Sequence, residues 1–159
     1  MFIKESTVKA FAALIKAEYT THLFFNYAAN YAAQNGYSIA YQYFIKEAND
    51  EILHTQKLQS YLLDMQAGVE FPTLDTTKPE FTSLIDIIQK ASNLMIVVRD
   101  AYELVANSVL DEELTTFEFL QKFIKIQRHA IGYWSGLVDT TKDLEPTKFN
   151  QLFIQQYLK

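Results

Sequence analysis

A carboxylate and an imidazole stand three residues apart in Glu51-x-x-His54, inside a stretch of helical periodicity. That spacing places both side chains on one face of a helix, one turn apart, where they can grip a metal ion from the same direction. Alone, such a pair is ordinarily a solvated helix face. Glu18 changes that reading. It sits in Ala13-Leu14-Ile15-Lys16-Ala17-Glu18-Tyr19-Thr20-Thr21-His22-Leu23-Phe24-Phe25, among mostly apolar neighbours, so an inward-facing carboxylate is expected there. A buried carboxylate is costly unless it is paired or metal-bound.

The elements that must position these groups are helices. Apolar residues recur at helical spacing almost throughout, and there are only four Gly and three Pro. Ser6 or Thr7 is positioned to cap a first helix running to about Asn35, with Gly36 just beyond it. Ser38 is positioned to cap a second, which reaches Gln66 and stops near Gly68. The joint at Gly36 is short, so the two helices are antiparallel neighbours. Glu18 lies about 18 residues before that joint, and Glu51 and His54 about 15 and 18 after it, so all three fall at one height to within about 5 Å. Gly68 to Glu80, with two prolines and three threonines, is an extended connection long enough to cross the bundle. A third helix follows from about Thr82 to Asn107. A fourth runs from cap candidates at Asp111 to Thr115 as far as about Asp139, and a short fifth spans Pro146 to Leu158, with proline at its start. The expectation is an all-α four-helix bundle forming a single domain over residues 1–159, with a long crossover between the second and third helices and a short C-terminal fifth helix; that layout is ferritin-like, and on layout alone an ordinary four-helix bundle of another kind fits equally well.

Composition narrows the chemistry. Cysteine is absent, so a metal would take carboxylate, imidazole or amide ligands, which suits iron, manganese or zinc. The net charge of −5, with no Lys/Arg run, argues against nucleic acid as a partner. No stretch reads as a membrane span, and Met1-Phe2-Ile3-Lys4-Glu5 lacks the apolar core of a secretory signal, so a cytoplasmic location is expected. Ten Tyr and twelve Phe are many for one interior, which points to aromatic contacts between subunits.

These features resemble the ferritins, and most of all the bacterial non-haem type. The stretch from Tyr43 to Gly68, containing Glu51-Ile52-Leu53-His54, is similar to the ferritin second helix. Ala17-Glu18-Tyr19-Thr20-Thr21 resembles the ferroxidase part of the first, and Phe117 to Gln127 the start of the fourth. The resemblance implies a homo-oligomeric, hollow 24-subunit cage that oxidises Fe(II) with O2 and stores Fe(III) as a mineral. It implies that Glu18 and His54 bind one iron, that Glu51 bridges two, and that Gln127 approaches the site.

The departures are as informative. The third-helix position that holds the second iron in ferritins falls on Leu94, which cannot ligate. Fourth-helix positions where bacterial members place glutamates fall on Ile126, His129 and Ala130, and a first-helix tyrosine is replaced by Phe25. One iron position thus keeps its ligands and the other loses most of its own. Substitute ligands are sought among Gln127, Asp50, His129, Glu47, Glu103 and His22. Ile52 occupies the place of the methionine that binds haem in bacterioferritins, so haem is not expected. The fourth helix lacks a second Glu-x-x-His, against a symmetric di-iron oxygenase. An intrachain trio and a fifth helix argue against a miniferritin, whose metal site forms between subunits. Asp111, Glu112, Glu113 and Glu118 suit a helix N-terminus. Phe117 and Leu120 replace acids that line the threefold pores of animal ferritins, which implies a different iron route. Two functions follow from these residues: an iron-storing ferroxidase with an altered site, or a cage that binds metal without efficient oxidation.

Overall fold

Glu18 and Glu51 both stand within the buried stripes of their helices, and those stripes explain the fold. A computed structural model describes residues 1–158. Four long helices, α1 (Glu5–Gln34), α2 (Ser38–Asp64), α3 (Leu84–Val109) and α4 (Leu114–Thr141), form an antiparallel bundle. A short α5 (Lys148–Ile154), continued by a 3₁₀ turn (Gln155–Tyr157), follows. No strand occurs among the described residues. Each long helix buries positions three or four apart, for example Phe11, Leu14, Ile15, Glu18, Thr21 and Phe25 on α1. The joints force the antiparallel order, and the extended segment between α2 and α3 crosses the bundle's length, as the sequence predicts.

The helix ends refine that prediction. Gly36 has φ +77°, and the amides of Gly36 and Tyr37 return to the carbonyls of Ala33 and Ala32, a Schellman closure that favours glycine. At the end of α2 the left-handed residue is Gln66, φ +56°, not Gly68; Gln66 and Ala67 close on Leu63 and Leu62. Neither Ser6, Thr7 nor Ser38 caps a helix. All three lie inside the first turn, and the caps come from distant chain. Oε1 of Glu113 accepts from the Lys4 amide at 3.0 Å and from Thr7 Oγ1 at 2.9 Å, placing a carboxylate at the N-terminus of α1. Oε1 of Gln155 accepts from the amides of Ile39 and Ala40, and Oε1 of Gln151 from that of Leu84. Helix α5 and the 3₁₀ turn after it thereby tie the first turns of α3 and α2 together. Ser83 and Thr147 are local exceptions: their hydroxyls accept from the amides of Asp86 at 3.0 Å and Asn150 at 3.2 Å. Pro146 lies outside α5, whose cap is Thr147.

The apolar core is divided. One cluster gathers Phe25 to Ala32 of α1, Ala40 to Ala48 of α2, Leu84 to Met95 of α3, and Trp134 and Leu137 of α4. The other gathers Val8 to Ile15, Leu58 to Leu62, Val98 to Val109, Leu120 and Phe123. Between them the buried residues are polar: Glu18, Thr21, Glu51, Thr55 and Gln127. A polar layer across a bundle core lowers stability unless its groups find partners. Thr21 and Thr55 satisfy themselves on their own helices, through Ala17 O at 2.8 Å and Ile52 O at 2.7 Å. Glu18, Glu51 and Gln127, with His54 at the edge, are the groups left for chemistry. Among the described residues no helix is long and apolar enough to cross a membrane.

Candidate metal centre

Nδ1 of His54 lies 3.3 Å from Oε2 of Glu18 and 3.2 Å from Oε2 of Glu51. One donor atom from each residue falls within 4.8 Å of the other two, and among the described residues no other group of three His, Asp or Glu side chains does this. Ligands held at about 2.1 Å in a tetrahedron stand roughly 3.4 Å apart, so the His54 separations suit a single small cation with little movement. Glu18 is fully buried and Glu51 nearly so, while His54 reaches the surface with an edge of its ring.

Electrostatics tune the trio. Burial pushes Glu51 upward, and the neighbouring Glu18 adds to this, because two carboxylates in one dry site cannot both ionise at low cost. For Glu18, burial also acts upward, but hydrogen bonds from Glu51, His54 and Tyr102 and the charge of His54 outweigh it and hold the group low. Burial pulls His54 down, yet hydrogen bonds and charge from both carboxylates raise it to about 10. These directions favour a metal-free trio in which the carboxylates share a proton and the imidazole carries another. A divalent ion replaces the two protons and leaves the site equally neutral overall.

Tyr102 was not among the residues singled out from sequence. Its hydroxyl donates to Oε1 of Glu18 at 2.6 Å, and both groups are fully buried. A hydrogen bond to a charged acceptor of this kind contributes about 2 kcal/mol. The one available signal was a tyrosine in the apolar stripe Ala91, Met95, Val98, Tyr102, Val105 of α3. Its ring stacks on Phe123 of α4 at 5.1 Å and 8°, and Phe123 meets the His54 ring edge-on at 5.9 Å.

The other predicted residues divide by location. A groove of about 280 Å³ between α2 and α4 is lined by Glu47, Asp50, Glu51, His54, Ile126, Gln127 and Ala130, among others. Gln127 is buried, and its Oε1 has no hydrogen-bond partner. Glu47 is held above the usual carboxylate range by burial and by the charge of Asp50. Three candidates fall elsewhere. Nδ1 of His22 sits 2.6 Å from Ala48 O and its Nε2 2.9 Å from Asn26 Nδ2, so both ring nitrogens are engaged between α1 and α2. His129 is exposed and outside the groove, because it lies two positions from Gln127 and so on another face of α4. Glu103 is exposed, 4.0 Å from Arg99 Nε. Leu94 packs against both core clusters, and Phe25 is fully buried against Trp134 and Phe44.

The chain is similar to known proteins over most of its length. A family model described as the ferritin-like domain matches residues 8–144. The bacterial non-heme ferritin of Campylobacter jejuni is 23% identical over 145 residues, covering 91% of this chain and 86% of that one. Among solved structures, an open pore ferritin from the archaeon Archaeoglobus fulgidus superposes with a TM-score of 0.91 at 17% identity, over 98% of this chain and 96% of that one. A Chlorobium tepidum ferritin superposes with a TM-score of 0.84 at 16% identity, over 88% and 86%. With the family match spanning nearly all of the four-helix bundle, the chain belongs to the ferritin family.

Proposed function

We propose that residues 1–159 form one domain that is a subunit of a cytoplasmic iron-storage and detoxification cage. It binds Fe(II) at Glu18, Glu51 and His54, oxidises it with O2, and passes Fe(III) to a stored mineral. The observation that carries this reading is the buried trio itself. Two carboxylates and an imidazole at the centre of a ferritin-family bundle converge on one small volume, at a cost to the core that an ion would offset. Borderline and hard donors of this kind suit Fe(II). In this reading Glu18 and His54 are terminal ligands, Glu51 has an edge on the groove, and Asp50, Glu47 and Gln127 guide or share ions along it. Neither haem, nucleic acid nor membrane has a part. Large exposed apolar side chains, including Leu104, Phe71 and Phe149, supply surface for contacts between identical subunits, up to the 24-subunit assembly.

One observation favours a second reading, a cage that binds metal without efficient oxidation. Leu94 and Phe25 fill space with hydrocarbon where the ferritin resemblance implies a glutamate and a tyrosine. Aerobic Fe(II) oxidation, followed optically for the wild type and for Glu51→Ala, separates the two. A large fall in the variant supports oxidation at the trio; equal rates exclude it. Sedimentation or electron microscopy of the intact protein tests for the hollow shell.

A further inference from the structure

Glu18 has two oxygens, and the structure uses them differently. Oε2 faces His54 at 3.3 Å, in the trio. Oε1 accepts from Tyr102 at 2.6 Å. A carboxylate oxygen that already accepts a short hydrogen bond is a weaker metal donor than its partner oxygen, because part of its lone-pair density is engaged and its approach is partly blocked. Tyr102 cannot easily swing away. Its ring is fully buried and lies nearly parallel to Phe123, the same ring that touches the edge of His54.

We propose that Tyr102 is a positioning residue for the metal: by holding Oε1 of Glu18 it makes that carboxylate a one-oxygen ligand and keeps the trio a low-coordinate site for one divalent cation. The inference rests on the metal-binding reading of the trio and adds to it the residue that sets coordination. A chelating carboxylate raises the coordination number of its ion, whereas a one-oxygen ligand leaves the remaining positions to water or O2. Tyr102 acts through Glu18 and does not itself ligate. Phe123 extends its influence, since one ring braces both Tyr102 and His54.

The test uses Co(II), whose visible absorption is strong in four- or five-coordinate sites and weak in six-coordinate ones. Metal-free wild-type protein and Tyr102→Phe are loaded with Co(II), and the bound ion is counted after dialysis. The substitution removes the hydroxyl and leaves the ring against Phe123. The expected result is equal occupancy with visible absorption several-fold weaker in the variant, as Oε1 closes on the ion. Superimposable spectra at equal occupancy overturn the proposal. Should Tyr102→Phe fail to fold, a crystal structure of the wild type soaked with Zn(II) decides. Glu18 bound through Oε2, with Tyr102 still on Oε1, supports the proposal; both oxygens on the ion overturn it. Wild-type protein that takes up neither ion removes the metal-binding reading and the inference together. Bound metal with an unchanged spectrum removes the inference alone.

Discussion

Helices α1 and α2 bring Glu18, Glu51 and His54 to the middle of the bundle, whereas α3 and α4 meet them with Tyr102, Phe123 and Gln127, and Leu94 packs against the apolar clusters on either side. One helix pair supplies ionisable groups; the other supplies a phenol, an aromatic wall, an amide and hydrocarbon. Both pairs bury similar stripes and frame the same interruption of the core. The contrast shows that a bundle can keep its architecture while its two halves carry different chemical loads. Packing asks only that volume be filled, whereas ligation needs particular atoms at particular places. It also shows why the α1–α2 half depends on its opposite: the phenol that fixes Glu18 comes from α3.

The most severe way to break the contrast is to remove a ligand. Glu18→Ala is expected to lower divalent-metal affinity by more than the roughly 100-fold typical of losing an outer partner, measured by calorimetric titration. Retained affinity would mean that the trio is not where the ion binds. The contrast can instead be erased by giving the second half a ligand. Leu94→Glu is expected to raise bound metal from one to two per chain and to cost the metal-free protein about 2 kcal/mol, the penalty of placing a carboxyl in packed hydrocarbon. Metal counting and denaturant melts check both parts. One bound ion in Leu94→Glu would show that ligand identity at that position does not limit the site.

Changing pH tests the ionisable half alone. Folding raises Glu51 above its ordinary 4.5, chiefly through burial, and raises His54 from 6.5 to about 10 through the two carboxylates, which overcome the effect of burial. A group raised on folding binds its proton more tightly in the native state. Its contribution is complete below the unfolded value and is lost as pH rises through the folded one. The metal-free protein is therefore expected to lose stability as pH rises above 4.5, where Glu51 begins to contribute, and most steeply from 6.5 to about 10, where His54 adds its share. Glu18, held low, loses its contribution only in acid. Metal affinity should move the opposite way, rising by up to about tenfold per displaced proton per pH unit. A melting temperature flat across that range would contradict the assigned protonation. The smallest effect is expected on the other side. Gln127→Leu removes a buried oxygen that has no partner, so metal-free stability should change by no more than about 0.5 kcal/mol. Metal affinity should fall by about tenfold if the amide touches the ion's shell, and an unchanged affinity would confine the site to α1 and α2.

Much of this was legible beforehand. The four long helices, the crossover and the tail follow from apolar periodicity and from where glycine and proline interrupt it, because both act over a few residues. The common height of Glu18, Glu51 and His54 follows from the rise per residue and one short joint at Gly36, so these three are brought level by sequence spacing. It did not determine which residues stop the helices, since Gln66 takes a left-handed conformation that glycine usually serves, and Glu113, Gln151 and Gln155 cap helices far away in the chain. Nor did it determine which of the spare carboxylates and imidazoles share the groove. Glu47 and Asp50 line it, whereas His22, His129 and Glu103 do not. Tyr102 is 84 positions from Glu18. Their meeting depends on the axial offset and rotation of α3 against α1, which are fixed after a long crossover by packing of the whole core, and no local pattern encodes them. Sequence settled the ligands that one turn and one joint bring level; tertiary structure alone decided the group that holds Glu18 in place.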